Sequence, residues 1–406
     1  MRKSGKVMKM DNQKELFLSD VLNTSLFETG YMNVIVAPCG CGKTTAAINS
    51  IASLASKPQK AIYLIDTRIG KERLALNPAL TTPYFAYADS IVYKDGFFEN
   101  MEFVGVATYA QFGNWCARFP RFAENYEVIV CDEPHNLVSF SEMGIIDDGD
   151  VPLHKIAREA ICEAVNQGKT LVVGITATPN PLRKLACPLN QISIDTSKLH
   201  HFVERETIHY RSINSILTQI PPGKRGGMYI KHVKKMIEYG EILRKRGFNP
   251  LLLWSLNYEL KMSPKQLIAR QYIIENEAVP DEYDIFIFNA TAETSINIYS
   301  KMDFFIAHNT EDTHIIQSRG RYRGDLDTLY VYDCKNGGAI VVPEEYLEHP
   351  LFREDMNRLR DFLDIKKDNH GNRLSIENMV KLISDCGYSY EQKEIKRRKC
   401  WIIHKE

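Results

Sequence analysis

Along the first half of the chain, short runs of consecutive apolar, mostly β-branched residues alternate with longer stretches in which apolar residues recur at helical spacing. The runs fall at 32–37, 61–66, 103–108, 127–132 and 170–176. Unbroken apolarity marks a strand covered on both faces, because a strand with one wet face would alternate apolar and polar residues. Strands of that kind separated by helices predict a parallel sheet flanked on both sides, a doubly wound α/β domain. After Pro179 the regularity is interrupted at Pro181, Pro188 and Pro221-Pro222-Gly223. A second α/β series then opens at Gly226, with strands expected at 228–231, 249–255, 284–290, 303–308 and 328–333. Beyond Cys334 the pattern turns to helices, 343–364 and 375–385, and then to a hairpin with strand cores 388–390 and 400–403 around Lys396-Arg397-Arg398-Lys399. The expected fold is two tandem doubly wound parallel-sheet domains, 1–205 and 206–335, followed by a small helix-plus-hairpin appendage, 336–406.

With 406 residues and 44% hydrophobic side chains, the chain can fill the cores of two or three ordinary domains. Its 51 basic and 51 acidic residues cancel, so any attraction to a polyanion must be local. The nine cysteines are scattered, and the close pair Cys39 and Cys41 lies inside a glycine-rich loop, which argues against a zinc site. The basic start lacks a following apolar core of signal length, and no apolar run reaches the ~18 residues of a membrane helix. A cytoplasmic location and no membrane partner are expected.

Two stretches carry chemistry. In Ala37-Pro38-Cys39-Gly40-Cys41-Gly42-Lys43-Thr44 the glycines let backbone N–H groups face a polyphosphate at the start of a helix. Lys43 would reach the β- and γ-phosphates and Thr44 would place its hydroxyl on a magnesium ion. Ala37 stands where the usual first glycine would be, but the loop follows a strand and precedes the helical Thr45-Ala46-Ala47, the context such a loop requires. The second stretch, Val128-Ile129-Val130-Cys131-Asp132-Glu133-Pro134-His135, ends a buried strand in two adjacent carboxylates. That arrangement is costly unless a cation or water offsets the repulsion. Asp132 is the expected magnesium partner and Glu133 the group that polarises an attacking water. The expected nucleotide-binding set is Pro38, Cys39, Gly40, Cys41, Gly42, Lys43, Thr44, Thr45, Asp132 and His135, with ATP and Mg²⁺ as cofactors.

Together these stretches resemble motifs I and II of superfamily 2 helicases, and Asp-Glu-x-His is similar to the DExH group. Other motifs follow in order. Thr176-Ala177-Thr178-Pro179 resembles motif III, which implies that Thr176 and Thr178 couple the nucleotide to a nucleic-acid groove. Asp66-Thr67-Arg68 resembles motif Ia, and Ala107-Thr108-Tyr109-Ala110-Gln111 resembles a later phosphate-contacting motif, although a threonine after a strand also serves as a helix cap. Asn289-Ala290-Thr291-Ala292-Glu293-Thr294-Ser295 resembles motif V of DEAH-type enzymes. Gln317-Ser318-Arg319-Gly320-Arg321-Tyr322-Arg323 resembles motif VI, whose glutamine and arginines face the γ-phosphate. Arg321 matches the first of those arginines, whereas Arg323 comes one residue early with Gly324 in the expected place, so the identity of the arginine finger stays open.

The resemblance spans roughly 30–335 and implies two RecA-like domains with ATP between them. Glu133, Lys43, Gln317, Arg321 and Arg323 would be the catalytic groups. A single strand of nucleic acid would contact Thr67, Arg68, Thr108, Lys231 and Thr291 through its phosphates, with little sequence preference. No glutamine motif precedes the phosphate loop, so the preference for adenine is an expectation only. The implied activity is an ATP-dependent helicase or translocase acting on single-stranded or duplex nucleic acid. DNA is preferred over RNA because a core without long insertions suits a bacterial, plasmid or phage enzyme. Two alternatives remain: the motor subunit of a larger nuclease or remodelling complex that separates no strands, and a hydrolysis-poor, nucleotide-gated binding scaffold. The basic tail with Tyr388, Tyr390 and Trp401 suits either an auxiliary nucleic-acid contact or a plain surface hairpin.

Overall fold

The computed structural model describes residues 16–57, 60–66, 70–71, 85–87, 92–94, 97–99, 104–119, 121–141, 152–256, 258–289, 296–309, 311–333, 338–365 and 374–406. The chain divides into two compact units, Met1–His201 and Phe202–Glu406.

In the first unit, β1 (Met32–Val36), β2 (Ala61–Ile65), β3 (Phe85–Tyr87), β6 (Val104–Thr108), β7 (Val128–Asp132), β8 (Leu171–Thr176) and β9 (Leu189–Ile192) form one parallel sheet in the order β3-β6-β2-β7-β8-β1-β9. A separate ribbon pairs β4 (Val92–Lys94) with β5 (Phe97–Glu99). The pleat sends neighbouring residues to opposite faces, and both faces are dry. Met32, Val34, Ile62, Leu64, Ile129 and Cys131 join one apolar layer with Phe112, Ile161 and Val165. Ile35, Ala61, Tyr63, Val128 and Val130 join another with Ala46, Ile48 and Ile51. This is why the strands read as continuous apolar runs. Asn33 is the polar exception at the start of β1, fully buried and bonded through its amide to Glu28, Val172 and Asn190.

In the second unit, β10 (Glu204–Tyr210), β11 (Gly226–Ile230), β12 (Pro250–Leu253), β13 (Ile285–Phe288), β14 (Phe304–His308) and β15 (Leu326–Tyr332) form a parallel sheet in the order β10-β15-β14-β11-β13-β12. Helices Val233–Lys245, Pro264–Asn276 and Asp312–Arg321 connect and cover it. Both units thus have the expected parallel α/β architecture. Three strands of the two parallel sheets escape the sequence reading. β10 is mostly exposed along Glu204-Arg205-Glu206-Thr207 and lacks the apolar run of a covered strand. β9 is a four-residue edge strand opened by Pro188, and β3 is three residues long.

The C-terminal part of the second unit has its own core, including Met356, Leu359, Met379, Ile383, Trp401 and Ile403. The helix expected at 343–364 is shorter than foreseen. Pro350 interrupts it, β16 (Leu351–Phe352) follows, and the helix proper is Arg353–Leu363. β17 (Tyr388–Ile395) and β18 (Arg398–Lys405) form the hairpin, longer than expected, and β18 also pairs with β16.

At the carboxyl ends of β10, β14 and β15 lies a buried aromatic cluster. The Tyr210 hydroxyl meets His308 Nδ1 at 2.8 Å, the two rings stack at 6.0 Å, and Tyr332 approaches His308 at 4.6 Å. Burial, with Lys235 close by, presses the His308 imidazole down to about 4. A histidine held neutral stabilises the fold above its unfolded pKa, and that stabilisation is lost as pH falls through the folded value. The difference from the ordinary value is worth ~3 kcal/mol. Between pH 7 and pH 4, wild type should therefore lose ~3 kcal/mol more unfolding free energy than H308Q in urea titrations. Equal losses would show that His308 titrates freely.

Candidate nucleotide-binding site

In the sheet order, β7, β8 and β1 are neighbours, so their carboxyl ends bring three loops together. Open parallel sheets bind ligands at such ends. The loop after β1 is anchored at both sides: Ala37 donates its N–H to Thr176 at 3.0 Å, and the Cys41 carbonyl accepts from Leu18 at 2.8 Å. Gly40 and Gly42 have φ of 90° and 82°, the left-handed region that glycine enters without steric cost. A Cβ at Gly42 would also touch the Phe17 ring at 3.4 Å. The helix beginning at Lys43 is α through Ala46 and widens to a π turn over Ala47–Ile51.

Lys43 Nζ meets Glu133 Oε1 at 2.5 Å, with both side chains only 11% and 13% exposed. The other carboxylate oxygen accepts from Thr176 Oγ1 at 2.7 Å and Ala177 N at 3.4 Å. Behind it, His135 Nδ1 lies 3.1 Å from Thr176 Oγ1 and 3.2 Å from Thr178 Oγ1, and Thr178 N donates to Thr176 Oγ1 at 2.9 Å. The motif II carboxylate and the two motif III threonines therefore form one hydrogen-bonded unit. Glu133 itself sits at φ 46°, a left-handed conformation costing a non-glycine residue ~1–3 kcal/mol. Burial would raise the Glu133 carboxyl, but the Lys43 ammonium, with His135 beside it, outweighs burial and holds it well below the usual carboxylate range. Burial likewise works against the Lys43 ammonium, and the Glu133 charge reverses the balance and keeps it protonated.

Asp132 closes β7, and its carbonyl accepts from the Tyr109 hydroxyl at 2.8 Å. The Tyr63 hydroxyl is buried without a well-formed hydrogen bond. It sits beside Asp132 and Thr44, and burial together with the Asp132 charge raises its pKa. These groups fit a triphosphate with magnesium: a glycine loop only glycine can build, a lysine beyond it, and a hydroxyl and a carboxylate converging on a buried, under-bonded phenol. Pro38, Cys39 and Thr44 are partly exposed around this loop, Cys41 is buried, and Thr45 points to solvent. His135 is 1% exposed and meets the threonine pair and Glu133 rather than lining the loop surface. Neither Tyr63 nor Tyr109 was singled out in the sequence. The available signal was a tyrosine in a covered strand, whose hydroxyl needs a polar destination.

The second unit holds the arginine segment. Gln317 and Arg319 are buried at the end of helix Asp312–Arg321. Arg319 is fully engaged, with Nε 2.6 Å from Glu204 Oε1 and its two terminal nitrogens on the carbonyls of Tyr322 and Gly324. It ties the segment to β10. Past the helix end the chain pairs with Ile298 through a single bridge at Tyr322: Ile298 N donates to Arg321 O at 2.8 Å and Arg323 N to Ile298 O at 2.7 Å. Tyr322 points inward, 4% exposed. Arg321 is the last residue of the helix and Arg323 lies just past it, on either side of the buried Tyr322. Arg323 Nη2 donates to Asn297 Oδ1 at 3.1 Å, and each arginine has one buried nitrogen outside a hydrogen bond, Nε in Arg321 and Nη1 in Arg323.

The expected nucleic-acid contacts divide. Thr108 is 7% exposed and its hydroxyl accepts from Gln111 N at 3.1 Å, closing a capping box on helix Tyr109–Arg118. Its side chain thus serves the helix. Lys231 stands at the end of β11, 56% exposed, with Glu311 3.9 Å away. Thr67, Arg68 and Thr291 lie outside the described residues. If the loop after β1 depends on its left-handed glycine, G42A should lower unfolding free energy by ~1–2 kcal/mol in urea titrations. Stability equal to wild type would remove that constraint.

Residues 8–181 match the family described as ResIII, Type III restriction enzyme, res subunit. Among solved structures, a variant of S. cerevisiae Dbp5 bound to RNA and ADP BeF3 has a TM-score of 0.50 at 12% identity, covering 88% of this chain and 89% of that one. S. cerevisiae Dbp5 bound to the same ligands has a TM-score of 0.49 at 12% identity, with 87% and 88% covered. No curated protein matches the sequence. The expected preference for DNA over RNA gains no support from these similarities. Residues 8–181 are thus similar to the Type III restriction enzyme res subunit family, and the chain as a whole shares its fold with the Dbp5 structure, two RecA-like parallel α/β domains in tandem.

Proposed function

We propose that the chain is an ATP-dependent motor that moves along single-stranded nucleic acid. The observation that carries this reading is the joined unit of Lys43, Glu133, Thr176 and Thr178. It links the group that would hold the phosphates, the group that would polarise water, and the threonines on the following strand through direct hydrogen bonds. A change at the phosphates would reach Thr176 through Glu133, and Thr178 through Thr176.

Lys43 and the loop backbone would bind and orient the β- and γ-phosphates, and Thr44 and Asp132 would hold a magnesium ion. The bound ion supplies charge neutralisation at the phosphates. Glu133, kept ionised by Lys43, accepts the proton of the attacking water once the phosphates compete for the ammonium. His135 and Thr176 hold the carboxylate in place meanwhile. Arg321 supplies guanidinium charge to the transferring phosphoryl group, and Arg323, tethered by Asn297, supports the segment. A planar, permanently charged group suits that task.

Phosphate release from ATP, with and without single-stranded DNA or RNA, tests this. E133Q should retain ATP binding and lose turnover by on the order of 10²-fold or more. K43A should lose ATP binding, and R321A should lose more of kcat than R323A. Turnover of E133Q equal to wild type removes Glu133 from its role, and equal effects at the two arginines remove the distinction between them. The res-subunit match favours a second reading, translocation without strand separation within a larger assembly. Strand displacement from a tailed duplex separates the two, because the second reading predicts stimulated hydrolysis with no displaced strand.

A further inference from the structure

The β17–β18 hairpin closes through Lys396 and Arg397, with φ of 49° and 61°. Two consecutive left-handed residues define the two-residue turn that normally takes Asn-Gly, because L side chains crowd the backbone there. Here both positions carry long basic side chains instead, in a run of four, Lys396 to Lys399. The neighbouring charges are occupied. Arg398 lies over the Phe352 ring at 4.7 Å, Lys399 lies over Trp401 at 4.9 Å, and Lys393 pairs with Glu391. Lys396 and Arg397 are exposed and have no hydrogen-bond or ion-pair partner among the described residues. The chain is neutral overall, so this tip is a local concentration of positive charge on a rigid two-stranded support.

We propose that the hairpin tip is a phosphate clamp for single-stranded nucleic acid, with Lys396 and Arg397 each contacting one backbone phosphate. Rigidity supports this assignment: the strands are paired over eight registered positions, and β18 is bonded on its other edge to β16. A strained turn keeps two charges presented at fixed spacing, as backbone contact without base readout requires. The inference rests on the motor reading above.

The test uses the full chain and fluorescence anisotropy with labelled oligothymidylate and oligouridylate, over about 50 to 200 mM salt. K396N/R397G installs the preferred turn, so its thermal midpoint should equal or exceed that of wild type. Its affinity should fall roughly tenfold or more, and its log K against log salt slope should flatten by about 1.4, two phosphates at ~0.7 each. K396R/R397K keeps both charges and should bind as wild type does. ATP hydrolysis without nucleic acid should be unchanged in both. Wild-type affinity and slope in K396N/R397G would overturn the clamp while leaving the motor reading intact. Equal losses in both variants would overturn it by showing that turn shape rather than charge matters. Binding of neither polymer by wild type would overturn the motor reading and the clamp with it.

Discussion

An ammonium and a carboxylate, each about nine-tenths shielded from water, meet at 2.5 Å between the loop after β1 and the end of β7. Burying two charges is expensive, and removing one partner of such a pair leaves the other stranded at a cost of ~3–5 kcal/mol. The structure offsets that cost by giving Glu133 three further polar neighbours, from Thr176, Ala177 and His135. The loop after β1, the end of β7 and the turn after β8 are therefore fixed relative to one another by one electrostatic knot. The left-handed conformation of Glu133 is maintained within that knot and turns its carboxylate back toward Lys43.

The parallel sheet makes the knot possible. Because β7, β8 and β1 run the same way and lie side by side, their ends emerge on one edge, and residues more than forty positions apart come into hydrogen-bond range. The two dry faces of the sheet hold the strands rigid, so the loops need supply only chemistry. Tyr63 and Tyr109 show how far the strand interiors take part: each is buried in or beside the sheet, and each sends its hydroxyl toward Asp132.

The second unit uses a different device. Its arginine segment is held by backbone pairing to Ile298, an inward Tyr322 and the fully bonded Arg319. Arg319 is structural and Arg323 is tethered to Asn297, while Arg321 and Arg323 each have one buried nitrogen outside a hydrogen bond. Residues of one type within a five-residue stretch thus differ in their bonding.

The sequence by itself determined the architecture and the positions of the glycine-rich loop and the acidic pair. Strands covered on both faces leave an unmistakable apolar run, and left-handed loop positions demand glycine. It did not reveal the edge strands β9 and β10, because an uncovered strand has no obligation to be apolar and Glu204-Arg205-Glu206 reads as loop. Nor could it separate Thr108, spent on a helix cap, from Thr176, bonded to Glu133, since both are threonines ending apolar strands. The different bonding of Arg319 and Arg323 also needed tertiary structure, because their partners Glu204 and Asn297 are distant in sequence. Hydrophobic covering is local enough to be written in the order of residues. Which polar group meets which is decided only when distant strand ends are brought to one edge.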